Sequence, residues 1–241
     1  MNILAIDSSS SVLSIAFKKG KFPLTEKNIE GTFYHLENLL PVIDQMLKKN
    51  KLRPEDIDTF LIGRGPGSFT GLRIGFGTLK GFLAAQKRDC YGALSLDMIP
   101  ENLDLPEKSR LAVCLDARRE KIFTRFYKRS KSQWVPASKP LVLSLDELLE
   151  KLEPGDYAAG DALERYQERI QTAFQKGPLN FLDKKLWFPK SSTMILWHSA
   201  GEHLLKGKSR LRKLTQNTDF LPGYFRLSEP EEKRQAHAKH R

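Results

Sequence analysis

GRGPGSFTGLRIGFGTLKGFLAA, residues 63–85, is the stretch around which the rest of the chain is arranged. The apolar run Phe60-Leu61-Ile62 reads as a strand that stops at Gly63, where Gly-Pro and Pro-Gly pairs impose a turn. Ser68 or Thr70 then supplies the cap of a helix running to about Gln86. That helix carries Gly71, Gly75, Gly77 and Gly81, and each glycine inside a helix costs roughly 1 kcal/mol relative to alanine. Such a repeated cost implies that another backbone comes very close. At about 100° per residue, Gly71 and Gly75 fall within the apolar band of Leu72, Ile74, Leu79, Phe82 and Leu83. Gly77, Gly81 and Ala84 centre roughly 160° away, beside Arg73 and Lys80. One flank is expected to enter the chain's own core and the other to form a second contact surface. A phosphate cradle is the competing reading, since a Gly-rich turn before a helix presents backbone donors to an anion. The stretch lacks, however, the lysine and spacing of a P-loop, and it is not a GxGxxG turn after a strand. Tight helix packing inside one domain accounts for part of the pattern, and the second glycine flank favours a subunit interface.

The remainder of the chain bounds the class. Its 241 residues are 40% hydrophobic and 29% charged, enough for two modest domains with ordinary cores. No apolar run approaches the ~20 residues of a membrane span, and the N-terminus enters a strand at once without a signal peptide's basic region, so a cytoplasmic protein is expected. Cys90 and Cys114 are the only cysteines, both among apolar neighbours; they read as free buried thiols. The net charge of +11 raises affinity for any polyanion. It is spread over Lys18-Lys19-Lys21, Lys48-Lys49-Lys51, Arg118 to Lys131 and Lys206 to Lys213, without regularly interleaved stacking aromatics. RNA proximity is compatible with it; sequence-specific readout is not indicated.

Ile3 to Asp7 reads as a buried strand, Ser8 to Ser11 as a turn, Val12 to Phe17 as the returning strand, and Phe22 to Ile29 as an edge strand demoted by Pro23. Leu36, Leu39, Leu40, Ile43, Met46 and Leu47 keep helical spacing around Pro41, which is expected to kink the helix. A strand near Asp58–Ile62, the Gly-rich helix and a strand around Cys90–Leu94 complete an α/β layer. Pro100 to Pro106 looks like a linker, after which a shorter version of the same order begins. Its strands are Leu111–Leu115, Ile122–Tyr127, Trp134–Leu143 and Tyr157–Ala159, with helices over Leu145–Leu152 and Ala162–Phe174. The Ser191-Ser192-Thr193 run caps a last helix through about Leu205, and the end of the chain reads as irregular and charged.

These residues bring a family into view. The Ile3-Leu4-Ala5-Ile6-Asp7 strand, His35 with Leu39-Leu40-Pro41, GRGPGSFTGLRIG at 63–75, Leu115-Asp116-Ala117-Arg118 and Pro222-Gly223-Tyr224-Phe225-Arg226 resemble the bacterial TsaB, or YeaZ, family. The GRGPGSFTGLRIG stretch is the specific signal; the region from Ser130 to Phe220 is poorly marked. The resemblance implies an α/β fold of the actin, Hsp70 and sugar-kinase superfamily, with two ribonuclease-H-like domains, the second reduced. It places the first domain at 1–101 with helix 191–206 packing back on it, the second at 102–190, and an irregular segment at 207–241. It also implies a non-catalytic subunit that pairs with the catalytic paralogue TsaD and the ATPase TsaE. Their complex transfers threonylcarbamoyl, made as an adenylate, onto the adenosine beside the anticodon of tRNA. No cofactor is expected to bind this chain tightly, ATP and threonylcarbamoyl-adenylate being used by the complex. A homodimer is expected when the partner is absent, and no membrane association.

Chemistry within the chain itself is weighed against that background. The superfamily's phosphate-holding turns correspond to Asp7-Ser8-Ser9-Ser10 and Asp116-Ala117-Arg118-Arg119-Glu120, both lacking the glycines that let backbone wrap a phosphate. Asp7 is as readily read as capping its own turn. Ala158-Ala159-Gly160-Asp161 sits where such proteins bind adenosine, without a double glycine. Asp7, Ser8, Ser9, Asp116 and Gly160 are thus the candidates for a vestigial nucleotide site. His198 and His203 stand five apart, about 140° round a helix, and cannot share one ion; His237 and His240 belong to a charged tail. No metal site and no catalytic residue are expected. Partner contact is assigned to His35, Leu39, Leu40 and Ile43 of one helix and to Phe69, Thr70, Arg73, Gly77, Lys80, Gly81 and Ala84 of the other. The alternatives are an autonomous ATPase or sugar kinase, and a charge-driven tRNA-binding module in which Arg118, Arg119, Arg125, Arg129 and Lys131 are the first candidates.

Overall fold

A computed structural model describes residues 1–31, 35–202, 209–215, 221 and 223. The chain begins with a meander, β1 (Asn2–Asp7), β2 (Val12–Lys19) and β3 (Thr25–Glu30), in which β1 pairs antiparallel with β2 and β2 with β3. Helix α1 (His35–Lys49) leads to β4 (Thr59–Gly63), parallel to β1, and α2 (Phe69–Ala85) leads to β5 (Asp89–Ala93), parallel to β4. After the short helix α3 (Ser95–Met98) the order repeats. Strands β6 (Arg110–Asp116), β7 (Ile122–Ser130) and β8 (Gln133–Pro136) form a second meander, with β9 (Leu141–Leu143) also on β7. Then come α4 (Leu145–Lys151), β10 (Tyr157–Ala159) parallel to β6, α5 (Leu163–Ala173) and β11 (Asn180–Phe181) parallel to β10. The strands therefore lie in the order β3-β2-β1-β4-β5 in one sheet and β8-β7-β6-β10-β11 in the other, a duplicated ribonuclease-H-like topology.

Alternation builds the first half. Leu4 and Ile6 face α1 and α2, meeting Leu39, Ile43, Phe76, Leu79 and Leu83, while Ile3 and Ala5 face α6 (Ser191–Ser199), meeting Met194, Ile195 and Trp197. Both faces are covered, which is why β1 reads as an unbroken apolar run. A helix from late in the chain thus returns to the first sheet.

Several elements differ from the sequence reading. The expected strand Trp134–Leu143 is two strands, broken where Pro136 and Pro140 withhold ladder donors. The expected linker after residue 100 is anchored: Leu96, Ile99 and Leu103 are buried in the second core, and Trp134 Nε1 donates to the Leu103 carbonyl at 3.2 Å. Helix α6 ends at Ser199, short of Leu205, and its first N–H groups are met by Ser14 and Glu26 rather than by the serine run. Within the segment read as irregular, Arg212–Lys213 forms β12, antiparallel to β5 at the sheet edge, held by Lys213 Nζ to Asp89 at 2.6 Å. His203, His237 and His240 lie outside the described residues, as does most of the Pro222–Arg226 motif.

Candidate functional site

The motif at 63–75 wraps the turn that follows β1. Asp7, at the end of that strand, accepts from the Ser9 amide (3.0 Å) and hydroxyl (2.7 Å) through Oδ1, and from the Ser95 hydroxyl (2.6 Å) through Oδ2. Burial pushes its carboxyl above the ordinary carboxylate value, opposed by these hydrogen bonds from Ser95 and Ser9. Gly63, Gly67, Gly71 and Gly75 of the motif are seats for this turn. A β-carbon at Gly63 would lie 1.7 Å from Asp7 Oδ2, at Gly67 2.0 Å from the Ser9 carbonyl oxygen, and at Gly71 2.0 Å from the Ser8 carbonyl oxygen. The Ser68 amide donates to the same Ser9 carbonyl at 2.6 Å, while Ser68 Oγ caps α2 by accepting from the Gly71 amide. Ser8, Ser9 and Ser10 are buried. The turn assigned to phosphate is therefore filled by the chain's own backbone, and Asp7 caps it.

The corresponding turn of the second half is organised by two aspartates. Asp161 accepts from the Asp116 amide at 2.9 Å, Asp116 accepts from the Arg118 amide at 2.7 Å, and the Arg118 guanidinium reaches Asp116 at 3.2 Å. Burial pushes the Asp161 carboxyl up to about 6, moderated by the Asp116 amide and the Arg118 charge. Glu120 is clamped by Arg165 and Arg169 of α5. Gly160 has φ +116°, and a β-carbon there would meet the Cys114 carbonyl at 2.1 Å, so its glycine is required for the seat of β10 against β6.

Of the residues assigned to partner contact, three are corrected. His35, Leu39 and Ile43 form the inward stripe of α1, each almost fully buried, and burial lowers the His35 pKa. The outward pair one residue on is Leu36 and Leu40, 70% and 54% exposed; Leu36 joins the assigned Leu40 there, and its i,i+4 spacing from Leu40 signals the common face. On α2, which packs beside α1, Thr70, Arg73, Gly77, Lys80, Gly81 and Ala84 are exposed, and β-carbons built at Gly77 and Gly81 meet nothing within 4 Å. Phe69 is half-buried beneath the Arg73 guanidinium, 3.9 Å from its ring centroid. The two glycine flanks thus differ: Gly71 and Gly75 are covered, Gly77 and Gly81 are open.

The basic residues proposed for tRNA are largely committed elsewhere. Arg125 pairs with Asp97 at 2.6 Å and donates to the Ser138 carbonyl at 3.0 Å; Tyr127 donates to the same Asp97 oxygen. Arg129 lies over Trp134 and 3.8 Å from Asp104. His198 is buried against Tyr91, ring centroids 5.4 Å apart. Among the described residues no group of three or more His, Cys, Asp or Glu is arranged to hold a metal, and no helix is long and apolar enough to cross a membrane.

Two sheets of this one order, the first covered by helices on both faces, define the actin, Hsp70 and sugar-kinase class. The family model for the tRNA N6-adenosine threonylcarbamoyltransferase TsaD matches residues 32–200, and the chain belongs to that family, within it to the TsaB/YeaZ branch. It is 28% identical over 221 residues to the tRNA threonylcarbamoyladenosine biosynthesis protein TsaB of Buchnera aphidicola subsp. Baizongia pistaciae, covering 88% of this chain and 95% of that one. It is 25% identical to TsaB of Bacillus subtilis, over 97% of both chains. The solved structure of YeaZ from Pseudomonas aeruginosa superposes with a TM-score of 0.71 at 23% identity, covering 92% of this chain and 99% of that one.

Proposed function

We propose that this chain is a non-catalytic scaffold subunit in the synthesis of threonylcarbamoyladenosine in tRNA. It docks through the outward face of α1 and α2 on a TsaD-type catalytic paralogue, in a complex that also recruits a TsaE-type ATPase. The names of its relatives support the pathway. The observation that carries the docking is the open flank: Gly77 and Gly81 with free space above them, beside exposed Leu36 and Leu40. Small residues let two helix backbones approach closely, and the leucines supply apolar area at the rim. In the partner's absence a second copy is the expected occupant.

The sealed turn at Asp7 weighs against the alternative of an autonomous ATPase or kinase. The Ser9 amide and hydroxyl are spent on Asp7, the Ser10 hydroxyl on the Val12 carbonyl, and the Ser8 and Ser9 carbonyls face the motif glycines. ATP and threonylcarbamoyl-adenylate are then handled by the complex, not held by this chain. The test is Gly81→Leu, which fills the open flank without touching the core. Co-purification with the catalytic subunit and threonylcarbamoyl transfer are expected to be lost, with circular dichroism unchanged. Normal pull-down and normal transfer would refute the docking assignment.

A further inference from the structure

Two lysine runs separated by some thirty residues of sequence converge on one end of the first sheet. The tip between β2 and β3 carries Lys18, Lys19 and Lys21, and the C-terminus of α1 and the turn after it carry Lys49 and Lys51. Lys19 joins them, its Nζ donating to the Asn50 carbonyl at 2.8 Å. Beside it Phe22 is 65% exposed, with Lys19 Nζ 5.8 Å from its ring centroid. The register Asn2↔Lys19 sets this cluster at the start of β1, the end opposite Asp7 and about 17 Å from it at ~3.4 Å per residue.

Among the described residues no carboxylate pairs with Lys18, Lys19, Lys21, Lys49 or Lys51. Lys48 pairs with Asp44 at 2.7 Å, and Asp58 accepts from the Asn2 amide at 2.6 Å, so two carboxylates at this end are engaged. Among the described residues Lys18 and Lys19 donate to neutral oxygens, of Ser199 and Asn50, and to no carboxylate. Among the described residues no ion pair reaches Lys21, Lys49 or Lys51.

We propose that this lysine-rich edge, with Phe22 beside Lys19, is a contact surface for the phosphodiester backbone of RNA, namely the tRNA on which the complex acts. The proposal rests on the reading of the chain as a tRNA-modification subunit and adds a substrate surface to it. Unpaired cations released from no internal partner gain most from phosphate, and an exposed ring beside them offers a stacking platform. An anionic membrane surface fits less well, because stable adhesion there takes a broad apolar face beside the basic patch, whereas a single exposed ring, Phe22, stands beside these lysines.

The experiment compares the full chain with two triple variants of equal charge. One is Lys21→Gln, Lys49→Gln and Lys51→Gln; the other is Lys128→Gln, Lys139→Gln and Lys151→Gln, exposed lysines of the second half. Binding to a tRNA transcript is followed by fluorescence anisotropy across a salt series, and vesicles of phosphatidylserine and phosphatidylcholine are the parallel probe. Each phosphate contact contributes about 0.7–0.9 to the slope of log affinity against log salt, so the first triple should flatten it by roughly 2–3. At about 0.1 M salt that amounts to a loss on the order of 100-fold, and the second triple should change little. Equal losses in both triples, or none in the first, overturn the proposal, as does a first triple that loses vesicle binding while keeping tRNA. In the reconstituted complex the first triple should raise KM for tRNA and leave kcat alone. Unchanged KM beside an active wild-type complex sinks the surface only; an inactive wild-type complex whose tRNA binding still depends on these lysines sinks the functional reading and keeps the surface.

Discussion

Alanine at the Gly77 and Gly81 pair and alanine at Gly71, all on one helix, should move stability in opposite directions. Gly77 and Gly81 are in the interior of α2, with nothing within 4 Å of a built β-carbon. A helical glycine of that kind is worse than alanine by roughly 0.5–1 kcal/mol. Gly77→Ala with Gly81→Ala should therefore stabilise the isolated chain by about 1–2 kcal/mol. A chain of this size gains roughly 2–4 °C in Tm per kcal/mol. At Gly71 the new methyl would sit 2.0 Å from the Ser8 carbonyl oxygen, a backbone atom that cannot swing aside. Overpacking of that sort costs about 1–3 kcal/mol, and the alanine gain recovers under 1 kcal/mol of it, leaving Gly71→Ala destabilised by about 1–2 kcal/mol. The assay is urea unfolding followed by circular dichroism, at a protein concentration where sedimentation shows a monomer. Destabilisation by the Gly77 and Gly81 pair would mean that their flank is covered in the monomer, and the argument for docking would fall. A neutral Gly71→Ala would mean that the turn is not seated on α2.

Two further outcomes follow from buried titratable groups. The Asp161 carboxyl, raised from its ordinary 3.8 to about 6, binds its proton more tightly in the folded chain than in the unfolded one. Its contribution to stability is therefore fully present below about 4, is lost as pH rises between about 4 and 6, and is absent above. Asp161→Asn keeps an acceptor for the Asp116 amide and should flatten that window in pH-dependent denaturation; an unaltered slope would show that Asp161 titrates normally. Burial pushes the Cys114 thiol up to about 12 and raises Cys90 as well, with the Asp89 charge adding to the latter. Both should resist Ellman's reagent in the native state and react fully in urea, and fast native labelling would contradict their placement.

Much of the architecture was legible because its signals are short-range. The apolar run of β1, the Gly-Pro punctuation after β4 and the Ser68 cap of α2 each involve residues a few positions apart. The same is true of the motif that marks the family. Periodicity without a sheet to orient it does not fix the phase of α1: His35, Leu39 and Ile43 read as outward together with Leu40, and only packing on β1 and β2 turns those three inward and puts Leu36 beside Leu40.

What the tertiary structure alone decided concerns contacts between distant parts of the chain. A glycine looks the same in sequence whether a β-carbon would strike Ser8 or open space, so Gly71 and Gly77 separate only once the Asp7 turn is laid against α2. Arg125 reads as a surface cation until Asp97 is brought beneath it, and Arg212–Lys213 reads as tail until it finds the edge of β5. The two lysine runs are unremarkable singly and become one surface when the hairpin tip meets the end of α1. Local sequence encodes propensities over a turn or two of chain, whereas burial, pairing and charge density depend on which far segments the fold brings within a few ångströms.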